Sequence, residues 1–128
     1  MKSLFLLALL IASPTYALDC ETAKTDLDIA QCELRALEKE DAAVATELQR
    51  VQAIFLQPDV REEDRLDALK AIEAAQNAWE AFREVDCQAV YAMNATGTIR
   101  HPAYAMCLRF HSKQRLMQLK ELSERGSY

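Results

Sequence analysis

The sequence predicts an all-α protein, an elongated antiparallel up-down-up three-helix bundle stapled by two disulfides. Three observations carry that expectation. Glycine occurs only at Gly97 and Gly126, while alanine, leucine, glutamate and glutamine abound, which is the composition of long helices. Apolar residues recur at helical spacing along stretches divided at Pro58 and between Asn94 and Pro102. Four cysteines, Cys20, Cys32, Cys87 and Cys107, all follow an N-terminal segment with the marks of a signal peptide, and small secreted domains use cysteine to tie their folds together.

Residues 1–17 read as that signal peptide. Lys2 supplies the positive start, Leu4 to Ala12 an apolar run, Pro14 a break, and Thr15-Tyr16-Ala17 small residues at the positions a signal peptidase reads. The run falls short of the roughly 20 residues needed to span a bilayer. Leu18 and Asp19 before Cys20 disfavour a lipid anchor. Residues 18–128 are therefore expected as one periplasmic or secreted domain, with no membrane association after cleavage.

The first helix is expected from about Asp26 to Gln57. Leu27, Ala30, Leu34, Leu37, Asp41, Val44, Leu48, Val51 and Phe55 alternate spacings of three and four, with Asp41 the lone polar member. Thr25 is a good N-cap. Pro58 stops this helix, and Asp59 with Glu62 reads as a capping box for the second. That helix runs to about Met93, with Leu66, Leu69, Ile72, Trp79, Phe82, Val85 and Val90 as its apolar content. A loop from Asn94 to His101 follows. Pro102 suits the first position of the third helix, which Tyr104, Leu108, Phe110, Leu116, Leu119 and Leu122 carry towards Gly126. Short connections make consecutive helices antiparallel neighbours.

Four cysteines allow three pairings, and facing favours one. Cys32 points away from the seam defined by Ala30 and Leu34, where the lead-in carrying Cys20 can fold over it. Cys87 and Cys107 lie nearly symmetrically about their loop, as a bridge across a helical hairpin requires. The expected bonds are Cys20–Cys32 and Cys87–Cys107. No C-x2-C pair exists and only His101 and His111 could join the cysteines, so structural disulfides are expected rather than a metal site.

The spacing Trp79-x3-Arg83-x3-Cys87 puts three unusual residues on one helix stripe. Counting at about 1.5 Å per residue from the loop end brings Asp41, Trp79, Arg83 and Arg115 to similar heights, with Gln76 extending the set. A buried polar layer that fixes helix register is the expected role, since charged residues in bundle cores are more often register devices than catalysts. Asp41 is expected to be substantially buried and bonded to Arg83, Arg115 or the Trp79 indole.

The net charge of −5 argues against nucleic acid and anionic membranes as partners and is permissive for a cationic one, while solubility explains it equally well. There is no Ser-His-Asp order, no Gly-rich phosphate loop and no HExxH, so neither enzyme activity nor a cofactor is expected. Nearly all of the remaining acidic residues read as solvated helix positions. The exposed loop is the candidate partner surface, through Asn94, Thr96, Gly97, Thr98, Ile99, Arg100 and His101, because loops between rigid helices commonly carry binding function.

These residues together resemble the LprI-like lysozyme-inhibitor family. The resemblance covers nearly all of residues 18–128. It rests on Cys20-x2-Ala23-x-Thr25 with Cys32, on Ala75-Gln76-x-Ala78-Trp79-x3-Arg83-x3-Cys87, and on Gly97-Thr98-Ile99 with Pro102-x-Tyr104-x2-Cys107-Leu108 and Arg115. Asp41 matches the family's first-helix aspartate. Val44-Ala45, Leu48 and Ser112 stand where the family has Leu-Asn, Tyr and Thr. The resemblance implies a helical, disulfide-containing envelope protein whose namesake inhibits lysozyme, and so a protein partner such as a cationic lysozyme. An envelope protein-interaction or chaperone-like helical module with no lysozyme activity is the alternative.

Overall fold

The computed structural model describes residues 18–125. The expected signal peptide and Gly126 lie outside those residues. Three helices follow one another, α1 (Asp26–Phe55), α2 (Glu62–Met93) and α3 (Arg100–Arg125).

Local chemistry sets the helix ends. The Thr25 hydroxyl accepts from the Asp28 amide at 3.1 Å, and Asp26 and Asp28 place negative charge in the first turn of α1, where the helix dipole favours it. This helix ends at Phe55, two residues before the expected Gln57. There the Ala53 carbonyl accepts from the Leu56 amide at 3.2 Å and from the Gln57 side chain at 3.1 Å, as the tightened last turn of a helix allows. The capping box of Asp59 and Glu62 does not form. Asp59 lies in the turn closed by the Val60 amide on the Gln57 carbonyl at 3.2 Å. Arg61 is the N-cap of α2, without a side-chain capping bond, and its guanidinium grips both Asp64 oxygens at 2.7 and 3.0 Å. Arg100 begins α3, two residues earlier than expected. Pro102 is its third residue, which costs no intrahelical bond because first-turn amides have no partner within the helix.

The chain runs up, down and up, so α1 and α3 are parallel to each other and antiparallel to α2. Glu33 and Glu40 reach Arg109, Asp41 reaches Ser112 and Glu47 reaches Ser123, in the same order along both helices. The broad interface is α1 against α3. By comparison, α2 rests chiefly on α3 and touches α1 little.

That unequal packing divides the expected seam. Ala30, Leu37, Val44 and Val51 are buried, whereas Leu27 and Leu34 are exposed by 62% and 42%. Glu33, Glu40 and Glu47 accompany the buried row at the same seven-residue spacing, with side chains only 21%, 18% and 5% exposed. The reading of the acidic residues as solvated fails for these three. Their spacing was the available signal: a second heptad row three residues after Ala30, Leu37 and Val44. Arg109 on α3 lies between Glu33 and Glu40, at 2.9 Å from each, and these two bonds raise its pKa above the usual arginine value. Serving two carboxylates with one guanidinium orients α3 on α1 by fixed fork geometry.

Two apolar clusters make the core. Leu37, Cys87 and Leu108 form one near the α2–α3 loop, flanked by Tyr104 and Cys107. Val44, Val51 and Leu119 form the other, flanked by Leu48, Ile72, Trp79 and Leu116. From α2, only Gln76 and Cys87 are buried. Leu66, Phe82 and Val85, expected as its apolar face, are exposed, as are Phe110 and Leu122 on α3.

Disulfides join Cys20 to Cys32 and Cys87 to Cys107, each with Cα atoms 5.6 Å apart. The first folds the lead-in onto α1, and the second ties α2 to α3 behind their loop.

Candidate functional site

Between the two apolar clusters lies a polar chain that crosses all three helices. Asp41 Oδ1 accepts from Arg83 Nη1 at 2.8 Å and from the Ser112 hydroxyl at 2.6 Å. Arg83 Nη1 also donates to Ser112 Oγ at 2.8 Å. One carboxylate on α1, one guanidinium on α2 and one hydroxyl on α3 therefore close a triangle. Its charge-assisted bonds are stronger than neutral ones. Ser112 is fully buried. Its role was not read from the sequence, where it stood out only as a substitution for threonine. Hydroxyl size is the constraint: the group must fit between two helices while both accepting and donating.

Trp79 links this triangle to a second group. The guanidinium carbon of Arg83 lies 4.6 Å from the indole ring centroid and that of Arg115 lies 5.9 Å away, two cation–π contacts on one ring. Arg115 donates through Nε to Gln76 Oε1 at 3.1 Å, and Gln76 Nε2 donates to Glu80 at 3.0 Å. Burial lowers the Arg115 pKa. Thus Asp41, Gln76, Trp79, Arg83 and Arg115 occupy one layer, but Arg115 bonds Gln76 and not Asp41.

Asp41 is less buried than expected, in keeping with the slight contact between α1 and α2 overall. Its side chain is 39% exposed. It lines a shallow cavity of about 170 Å³ with Ala45, Leu48, Gln76, Trp79 and Arg83. Water reaching the carboxylate softens the loss of either partner. Asp41→Ala is accordingly expected to destabilise by about 1–2 kcal/mol, well below the 3–5 kcal/mol typical of a broken buried pair. Arg83→Ala should cost a similar amount, and the double variant less than the two together. Urea denaturation of the four proteins of that cycle checks both statements.

At the loop end, Asn94 caps α2 with its side chain donating to the Val90 carbonyl at 2.8 Å. Gly97 has φ 105°, a backbone conformation that side-chain-bearing residues rarely adopt. The Thr98 hydroxyl donates to Asp26 at 2.5 Å, fastening the loop to the start of α1. Arg100 and His101 belong to the first turn of α3 rather than to the loop. Both turn towards Tyr91, Arg100 at 5.1 Å from the ring centroid and His101 edge-on at 5.7 Å. Of the expected partner surface, this leaves the segment 94–99 as loop. Its outward apolar members are Ile99 and the adjoining Met93, and Leu27, next in sequence to Asp26 on α1, is exposed as well.

Tyr104 braces this end by donating to both carboxylate oxygens of Glu84, at 3.0 and 3.1 Å. Bonds from Gln88 and then Tyr104 lower the Glu84 pKa. Burial and then the Glu84 bond raise that of Tyr104. The pair thus adds stability while Glu84 is ionised and Tyr104 protonated. A depressed carboxylate loses its contribution as pH falls through its folded pKa, and a raised phenol loses its own as pH rises through its folded pKa. Tyr104→Phe is expected to cost under about 1 kcal/mol at neutral pH, since water screens exposed Glu84. It should also flatten the acid limb of the stability–pH curve, which thermal unfolding across pH would show.

A family model described as Lysozyme inhibitor LprI matches residues 19–119. The match takes in the disulfides, the polar layer and the loop. No curated protein and no solved structure matches the chain.

Proposed function

The chain belongs to the LprI lysozyme-inhibitor family, and from that premise we propose that it is a non-enzymatic, periplasmic or secreted binding protein that inhibits lysozyme-type muramidases. Family membership across most of the chain is the observation that carries this reading. The disulfides fit an oxidising compartment. The net charge of −5 suits encounter with a basic enzyme, because opposite charge raises association rates.

The loop end is the proposed contact. Muramidases work in a cleft between two carboxyl-bearing walls, and a narrow protrusion held by rigid helices is the shape that enters a cleft. Segment 94–99, the connection between α2 and α3, is proposed for that part. It is fixed at Asn94, at the Thr98–Asp26 bond and by the Cys87–Cys107 bridge behind it. Exposed Ile99, Met93 and Leu27 supply the apolar anchors that desolvated interface centres use.

Residues 18–128 are expected to slow lysis of cell-wall suspensions by lysozyme at low salt, with inhibition weakening as salt is added. No inhibition of several lysozyme types at micromolar protein would remove the proposal. Capture of a different envelope protein in that case would favour the interaction-module alternative.

A further inference from the structure

Next to the α2–α3 disulfide sits a pair of polar side chains that the register layer does not use. Asp86 adjoins Cys87 on α2, and His111 lies one turn after Cys107 on α3. His111 Nε2 is 2.8 Å from Asp86 Oδ2. The imidazole is held edge-on by Phe82 and Phe110, at centroid distances of 5.4 and 5.7 Å, and its side chain is 14% exposed. The ligand atoms of Asp86, Cys87, Cys107 and His111 all lie within 4.8 Å of one another.

We propose that the thiol form of Cys87 and Cys107 is a zinc site completed by His111 and Asp86. Zinc takes four ligands, thiolate sulfur at about 2.3 Å and imidazole nitrogen or carboxylate oxygen at about 2.0–2.2 Å, in a tetrahedron. Donor atoms around such an ion are then separated by roughly 3.3–3.8 Å. The four groups converge at that scale on two helices whose backbones are already placed. The sulfurs, bonded to each other in the disulfide, must part, as must His111 Nε2 and Asp86 Oδ2 from 2.8 Å, and side-chain rotation achieves this with the cysteine Cα atoms 5.6 Å apart. His111 and Cys107, four residues apart, share a face of α3.

The redox step balances with an external dithiol. Its two thiols deliver two electrons and two protons to the disulfide, giving Cys87 and Cys107 thiols and leaving the reductant as its own disulfide. Zinc then displaces the two thiol protons as it binds. Reoxidation by a disulfide oxidant reverses both and releases the ion. The hairpin therefore keeps a cross-link in either state, covalent when oxidised and metal-mediated when reduced. The Cys20–Cys32 bond has no comparable surroundings, since Cys20 is exposed and the cationic Arg35 guanidinium lies 3.9 Å from Cys32 Sγ.

The test uses the Cys20→Ser/Cys32→Ser variant, so that the only thiols are the proposed ligands. After reduction with a non-chelating phosphine, titration with cobalt(II) should give one equivalent of a tetrahedral site. Its marks are d–d bands and thiolate-to-metal charge transfer, both lost on adding zinc. The oxidised protein should give neither. His111→Ala and Asp86→Ala, each in that background, should weaken binding by at least about tenfold. Circular dichroism provides the second readout, with zinc restoring any helix that reduction removes. An absent cobalt spectrum in the reduced protein, or unchanged affinity in His111→Ala, overturns the proposal. So does a reduced chain that zinc fails to refold.

Discussion

Replacing Cys87 and Cys107 together with alanine is expected to lower the unfolding free energy by about 2–5 kcal/mol. Two effects act in the same direction. The bridge closes a 20-residue span of chain, so its loss returns conformational freedom to the unfolded state. Cys87 is also fully buried beside Leu37 and Leu108, so shortening it opens space in the smaller core cluster. Replacing Cys20 and Cys32 should cost less than half as much. That bond restrains only the lead-in, which can fray while the three helices stay packed. Urea denaturation followed by circular dichroism separates the two double variants. Equal losses would show that the lead-in belongs to the cooperative unit.

Leu119→Ala is the other large effect expected, at about 2–5 kcal/mol. Leu119 is 1% exposed and packs in one cluster with Val44 and Val51 of α1. No other buried side chain of this upper cluster comes from α3, and α2 contributes only half-buried Ile72 and Trp79, so little is available to fill the gap. Phe110→Ala removes a larger side chain from the same helix but from an exposed position. It should change stability by less than about 0.5 kcal/mol. The contrast, measured by the same denaturation, separates burial from residue size.

Much of this fold is legible in the sequence because its signals are local. Thr25 caps a helix through its own hydroxyl, Pro58 follows a helix end, and glycine-poor, alanine-rich stretches between them leave few options other than helix. The cysteine pairing also follows from local facing, since Cys20 and Cys32 share one short segment and Cys87 and Cys107 flank one loop. Depth is not local. The row Leu27, Leu34, Asp41 and Leu48 has the same spacing as Ala30, Leu37, Val44 and Val51. Which row is buried depends on how closely each neighbouring helix approaches, and α3 lies closer than α2. That distance also leaves Asp41 wetter than an apolar seam implies.

The same limit explains the missed interface residues. Glu33, Glu40 and Glu47 carry charges that belong in water by type. They are tolerated at the α1–α3 contact because Arg109 and Ser123 of α3 meet them there. Such pairing across more than sixty residues of sequence has no signature in composition. The polar layer was visible as a set of residue types at one height, while its wiring depended on Ser112, a residue with nothing unusual in its local context.

A rigid disulfide-braced bundle is proposed to present its α2–α3 loop end to a muramidase. Hydrogen–deuterium exchange of the protein with and without excess lysozyme reports on that contact. Slowed exchange concentrated in residues 93–99 and the first turn of α1, with the opposite end of the bundle unchanged, is the predicted result. Protection confined to the far end of α1 and α3, or no protection at lysozyme concentrations that inhibit fully, would contradict it.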